Sequence, residues 1–108
     1  MLDKKNFYIN GQWVEPNSKE EIKVINPATE ENCAVISLGN KSDVDLAVTA
    51  AKQAFETWAF SSKKERLELI EKLYANYKKR WSDIAEAITI EMGAPKDFAT
   101  KLQAGTGA

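Results

Sequence analysis

The chain has 108 residues, with 15 Lys+Arg against 16 Asp+Glu and a formal net charge of −1. At 44% hydrophobic and 29% charged it has the balance of an ordinary soluble globular domain, which argues against nucleic acid or an anionic membrane as a partner found by bulk electrostatics. A single cysteine excludes an intramolecular disulfide framework, and the lack of histidine excludes Ser-His-Asp and Cys-His nucleophiles and His-ligated zinc within this chain.

Residues 7–38 read as strands and turns. Phe7-Tyr8-Ile9 and Gln12-Trp13-Val14 are short, aromatic and β-branched. Asn10-Gly11 between them tolerates positive φ at both central positions of a type I′ turn, so the segment predicts a β-hairpin. Glu15-Pro16-Asn17-Ser18 reads as a loop. Ile22–Ile25 is the next strand, stopped by Asn26-Pro27 because proline cannot donate to a ladder. Thr29–Asn32 is a polar turn, and Cys33–Leu38 a third strand ended by Gly39-Asn40. The expectation is a small antiparallel strand unit.

Residues 42–103 read as helices. Ser42 and Asp45 have capping-box spacing and open the first helix. Its apolar stripe is Val44, Ala47, Val48, Ala51, Ala54, Phe55 and Trp58. Ser62 and Glu65 form a second capping box. Behind it Leu67, Ile70, Leu73, Tyr74 and Tyr77 make a stripe widened by Leu69, and Lys78-Lys79-Arg80 suit the negative end of the dipole. A third helix is expected after Trp81 with Ser82 as its N-cap, lined by Ile84, Ala87, Ile88 and Met92 and closed by Gly93 as a left-handed C′ residue. Pro95 is suited to be the first residue of a short fourth helix carrying Phe98, Ala99 and Leu102. The whole predicts an α+β chain, strands first and three to four helices after. No apolar run approaches the roughly 18 residues that span a bilayer, and Met1–Asn6 lacks the apolar stretch of a secretory signal. A cytoplasmic chain is therefore expected, with no membrane partner.

Few residues suggest chemistry. Cys33 lies in a strand pattern beside Glu30 and Glu31, which disfavour a thiolate, so it reads as a half-buried apolar filler. Gly105-Thr106-Gly107 follows a predicted helix rather than a strand and lacks a third glycine, so it does not read as a phosphate loop. Lys78-Lys79-Arg80 read as a solvated helix end, because Glu65, Glu68 and Glu71 interrupt any basic face. Glu91 falls in the last turn of the third helix, where a carboxylate opposes the dipole. It is either simply exposed, or a nearby cation or donor offsets that location.

Taken in order, these pieces resemble the NAD(P)-dependent aldehyde dehydrogenase superfamily. Phe7–Val14 is similar to its first hairpin, and Val24-Ile25-Asn26-Pro27-Ala28-Thr29-Glu30-Glu31 to its next signature. Asp43-Val44-Asp45, Ala47-Val48, Ala50-Ala51, Ala54-Phe55 and Trp58 resemble its first long helix. Glu65-Arg66 with Leu69, then Ile90-Glu91-Met92-Gly93-Ala94-Pro95, continue in the family's order. The likeness runs from Phe7 to Gly107. One departure stands out: Glu30 occupies a position where the family usually has glycine, which implies a side chain held in a left-handed turn at a cost.

The resemblance implies an N-terminal segment, residues 1–108, of an enzyme that oxidises an aldehyde to a carboxylic acid with NAD or NADP. The intact enzyme would be α/β, with a Rossmann-like dinucleotide domain. By the same likeness a cysteine thiolate attacks the aldehyde, hydride passes to the nicotinamide, and a glutamate helps water release the acid. Those groups and the dinucleotide site belong to later parts of the family's sequence. So no catalytic or cofactor-binding residue is expected here, Cys33 takes no catalytic role, and this chain alone should bind no cofactor and be inactive. The likeness also implies an incomplete monovalent-cation site formed by main-chain oxygens of Val24 and Ile25 with Glu91. The expected partners are the remainder of the enzyme and further copies of it, with no nucleic acid. The helical stripes would then lack part of their covering surface. The competing reading is an independent small helical interaction or oligomerisation module without catalysis, since 108 residues can bury a core unaided.

Overall fold

The computed structural model describes residues 1–107. The chain divides into two compact units, one formed by Met1–Val24 and Asn32–Ser61, the other by Ile25–Glu31 and the residues from Ser62 onward.

The first unit holds the strands β1 (Leu2–Lys4), β2 (Phe7–Ile9), β3 (Gln12–Val14), most of β4 (Glu21–Ile25) and β5 (Asn32–Ser37), followed by helix α1 (Lys41–Trp58). The hairpin forms as its sequence predicts. β2 and β3 pair antiparallel with Phe7 opposite Val14 and Ile9 opposite Gln12, and Asn10 and Gly11 take φ of 53° and 76°. Tyr8 and Trp13 face each other across it with ring centroids 5.2 Å apart.

The second sheet has the order β1-β5-β4, and it corrects the expectation of a purely antiparallel unit. β1 runs parallel to β5, with Leu2 opposite Ala34 and Lys4 opposite Ile36. Leu2, Asp3 and Lys4 are all exposed. A short, charged, exposed edge strand carries no hydrophobic period, so only its long-range partner makes it a strand. Ala34 and Val35 of β5 are both buried, and as successive strand residues they point to opposite faces of the sheet.

The N-terminus of helix α1 lies two residues earlier than its sequence suggests: its capping box is Asn40 with Asp43 rather than Ser42 with Asp45. The Asn40 side chain accepts from the Asp43 amide at 3.2 Å, while Asp43 Oδ2 accepts from the Asn40 amide at 2.9 Å. Both pairs have suitable spacing. The choice is made by a distant contact, because Asp43 Oδ1 also accepts the Asn17 amide at 2.7 Å.

The second unit contains α2 (Lys63–Lys79), α3 (Trp81–Met92) and α4 (Lys96–Phe98), then a π-helical turn at Ala99–Gln103 and a 3-10 turn at Ala104–Gly107. The α2 capping box is the expected one, with Ser62 N–H to Glu65 Oε2 at 2.6 Å and Glu65 N–H to Ser62 Oγ at 3.2 Å. Ser82 does not cap α3. Arg80 ends α2 and precedes α3 at φ −107°, ψ 13°, which leaves no extended residue to act as a side-chain cap. Trp81 is therefore helical, and its indole N–H donates to Thr100 O at 2.8 Å. Pro95 also differs from its expectation. With ψ of 137° it is extended and precedes α4 instead of opening it.

The core of this unit is built from Ala85, Ala99 and Ala104, with Trp81, Ile84, Ile88 and Ala94 packed around them. Small residues let the π and 3-10 turns approach α3 closely. Other large apolar residues stay exposed: Ile70 of α2 is 58% exposed and Leu73 64%, as is Phe55 of the first unit at 63%.

Candidate functional site

Asn26 organises the loop after β4 through its backbone and its side chain. Its carbonyl accepts the Glu30 amide at 2.8 Å, its amide donates to Glu31 O at 2.9 Å, and its side-chain oxygen accepts the Ala28 amide at 2.9 Å. This closed loop requires a left-handed residue, and Glu30 supplies it at φ 60°. That is the strained position that the likeness implied for Glu30. Side chains pay for that conformation through a close approach of Cβ to the backbone.

The loop meets the end of α3. Gly93 adopts φ 69°, ψ 15° as the helix terminates, and a Cβ placed on it would lie 2.8 Å from Pro27 Cγ. Glycine is required there twice over, for its conformation and for its missing side chain. The contact brings the Asn26-Pro27 loop beside the last turn of α3, which carries Glu91. Glu91 is exposed, and no lysine or arginine among the described residues pairs with it.

The three residues expected at a cation site divide unevenly. Ile25 and Glu91 belong to the second unit, and Val24 to the first. The Val24 carbonyl accepts the Cys33 thiol at 3.3 Å. Cys33 is half-buried, so its place matches the filler reading. Among the described residues no group of three or more His, Cys, Asp or Glu side chains converges. Gly105 and Gly107 lie in a 3-10 turn that follows a π-helical turn.

The sequence carries no sign of an open groove of about 510 Å³ between α3 and the turns that follow it, lined by Lys78, Trp81, Glu86, Thr89, Lys96 and Thr100 among others. Thr89 Oγ1 and Gln103 Oε1 are buried without a hydrogen-bond partner. The groove needs the π-helical turn opposite α3, and a π turn has no period to read in sequence. Lys78 also sits over the Tyr74 ring at 4.4 Å from its centroid.

Two carboxylates are tuned, and both serve helix ends. The Asn17 and Asn40 amides hold the Asp43 carboxyl below its ordinary range, against a smaller opposing effect of burial. The Ser62 amide and hydroxyl do the same for Glu65. These are capping interactions, not a pair prepared for acid–base chemistry.

The aldehyde dehydrogenase family model matches residues 13–107. A 3-succinoylsemialdehyde-pyridine dehydrogenase from a Pseudomonas species is 50% identical over 108 residues, which cover 99% of this chain and 23% of that protein. An aldehyde dehydrogenase structure from Bartonella henselae superposes with a TM-score of 0.97 at 52% identity, covering 98% of this chain and 22% of the other. A mutant aldehyde dehydrogenase from Pseudomonas syringae, solved with NAD+ and octanal, gives a TM-score of 0.91 at 40% identity, covering 94% and 21%. The chain belongs to the aldehyde dehydrogenase family. It spans less than a quarter of the length of these relatives.

Proposed function

We propose that this chain is the N-terminal segment of a cytoplasmic, homo-oligomeric enzyme that oxidises an aldehyde to the corresponding carboxylic acid with NAD or NADP. The observation that carries the reading is the family match over residues 13–107, in a chain that covers only 22% of the superposed Bartonella structure. The NAD+ and octanal held by the Pseudomonas syringae relative support the cofactor and substrate class. The intact enzyme would hold its nucleophile, general base and Rossmann-like dinucleotide domain in the remaining polypeptide. This segment would contribute scaffold and no catalytic group, and would be inactive alone.

Within that reading, Ile25 and Glu91 are proposed as oxygen donors to a monovalent cation. Support comes from the chemistry of the donors, a main-chain oxygen and a carboxylate being hard ligands, and from the Pro27–Gly93 contact that brings their segments together. No reaction step runs through such an ion. When bound it would neutralise the Glu91 carboxylate at the negative end of α3.

The test is an assay of the polypeptide encoded by the whole reading frame, mixed with NAD or NADP and a series of aldehydes. Aldehyde-dependent growth of reduced-nicotinamide absorbance is expected. Its absence with every aldehyde and both cofactors, from a folded protein, contradicts the proposal.

A further inference from the structure

We propose that Asn10-Gly11 is a site of spontaneous backbone rearrangement, at which the Gly11 amide nitrogen attacks the Asn10 side chain and converts it to aspartate and isoaspartate. Asn10 and Gly11 form the tip of the β2–β3 hairpin, and both are exposed. Nothing lies within 4 Å of the position a Cβ on Gly11 would take, so the space on that side of the residue is open. Glycine presents that nitrogen without a side chain of its own to obstruct the attack. The strands that hold the turn are each only three residues long. A ladder this short opens locally at low cost and releases the turn to reach the reactive geometry. No other asparagine of the chain precedes glycine: Asn6, Asn17, Asn26, Asn32, Asn40 and Asn76 precede Phe7, Ser18, Pro27, Cys33, Lys41 and Tyr77.

The chemistry needs only water and hydroxide. The Gly11 nitrogen gives up its proton, forms a bond to Asn10 Cγ, and the bond from Cγ to Nδ2 breaks as ammonia leaves with a proton. The resulting succinimide is opened by water. Cleavage between Cγ and the Gly11 nitrogen gives aspartate, while cleavage at the Asn10 main-chain carbonyl gives isoaspartate. Either product adds one negative charge.

Isoaspartate also inserts a methylene into the main chain at the tip of a turn that fixes the strand register. Phe7 opposite Val14 and Tyr8 opposite Trp13 depend on that register. Phe7 is further tied to the start of α1, since its Cζ lies 3.4 Å from where a Gly39 Cβ would sit. Rearrangement at the tip therefore loosens the whole hairpin.

The test is to age the folded chain in mildly alkaline buffer and digest it with trypsin. The peptide Asn6–Lys19 holds Asn6, Asn10 and Asn17 together, so fragment masses compare them within one molecule. Loss of ammonia and gain of water should accumulate at Asn10 several-fold faster than at Asn17, with isoaspartate detected by an isoaspartyl methyltransferase. In the aged fraction, separated by its extra charge, the Ile9 and Gln12 amides should exchange with solvent faster than in fresh protein. Equal rates at Asn10 and Asn17 overturn the proposal. So does modification of the isolated peptide while the folded chain stays intact, and so does unchanged amide protection in the aged fraction.

Discussion

Gly93 and Pro27 approach so closely that a Cβ on the glycine would come within 2.8 Å of Pro27 Cγ. One residue thus ends α3, at φ 69°, and seats the Asn26-Pro27 loop against it. Gly93→Ala should lose stability through both effects, by about 2 kcal/mol. Urea unfolding of the two proteins checks this, and equal midpoints would show that the contact relaxes freely.

Glu30 makes the opposite case. It holds a left-handed conformation that a side chain tolerates poorly, in a loop closed by Asn26. Glu30→Gly should stabilise the chain by about 1 kcal/mol, since glycine occupies this region without steric penalty. A thermal midpoint that falls on substitution would show that the glutamate side chain has a compensating role.

Asp43 should make the first unit acid-sensitive. Its carboxyl titrates below the ordinary range when folded, because it accepts the Asn17 and Asn40 amides. The stabilisation is then full above the unfolded carboxylate value and is lost as pH falls through the lower folded value. Asp43→Asn should be less stable at neutral pH and show a weaker loss on acidification. Thermal midpoints measured from neutral to acidic pH follow both. Parallel profiles for the two proteins would remove Asp43 from the account.

The outward stripes of α1 and α2 should bind apolar dyes and promote concentration-dependent association. Phe55 and Leu73 are 63% and 64% exposed, so Phe55→Lys combined with Leu73→Lys should cost less than about 1 kcal/mol, because surface substitutions away from packed features are mild. Light scattering and dye fluorescence should fall together in the double variant. An unchanged signal would place the association elsewhere.

What could be read from the sequence was local. Asn10-Gly11 specifies its turn, Ser62-x-x-Glu65 its capping box and Gly93 its helix end through interactions spanning a few residues. What escaped depended on distant partners. β1 exists because β5 lies beside it, and α1 begins at Lys41 because Asn17 donates to Asp43. The missing side-chain cap at α3 follows from α2 ending directly against it at Arg80. Of the candidate site, the αL positions at Glu30 and Gly93 were foreseeable from residue type and family pattern, but the Pro27–Gly93 contact that joins their segments was not.

The proposed function makes this chain scaffold for an aldehyde-oxidising enzyme and assigns it no cofactor site of its own. Calorimetric titration of the isolated chain with NAD tests it most directly. The account predicts no heat beyond dilution; a saturable binding isotherm would contradict it.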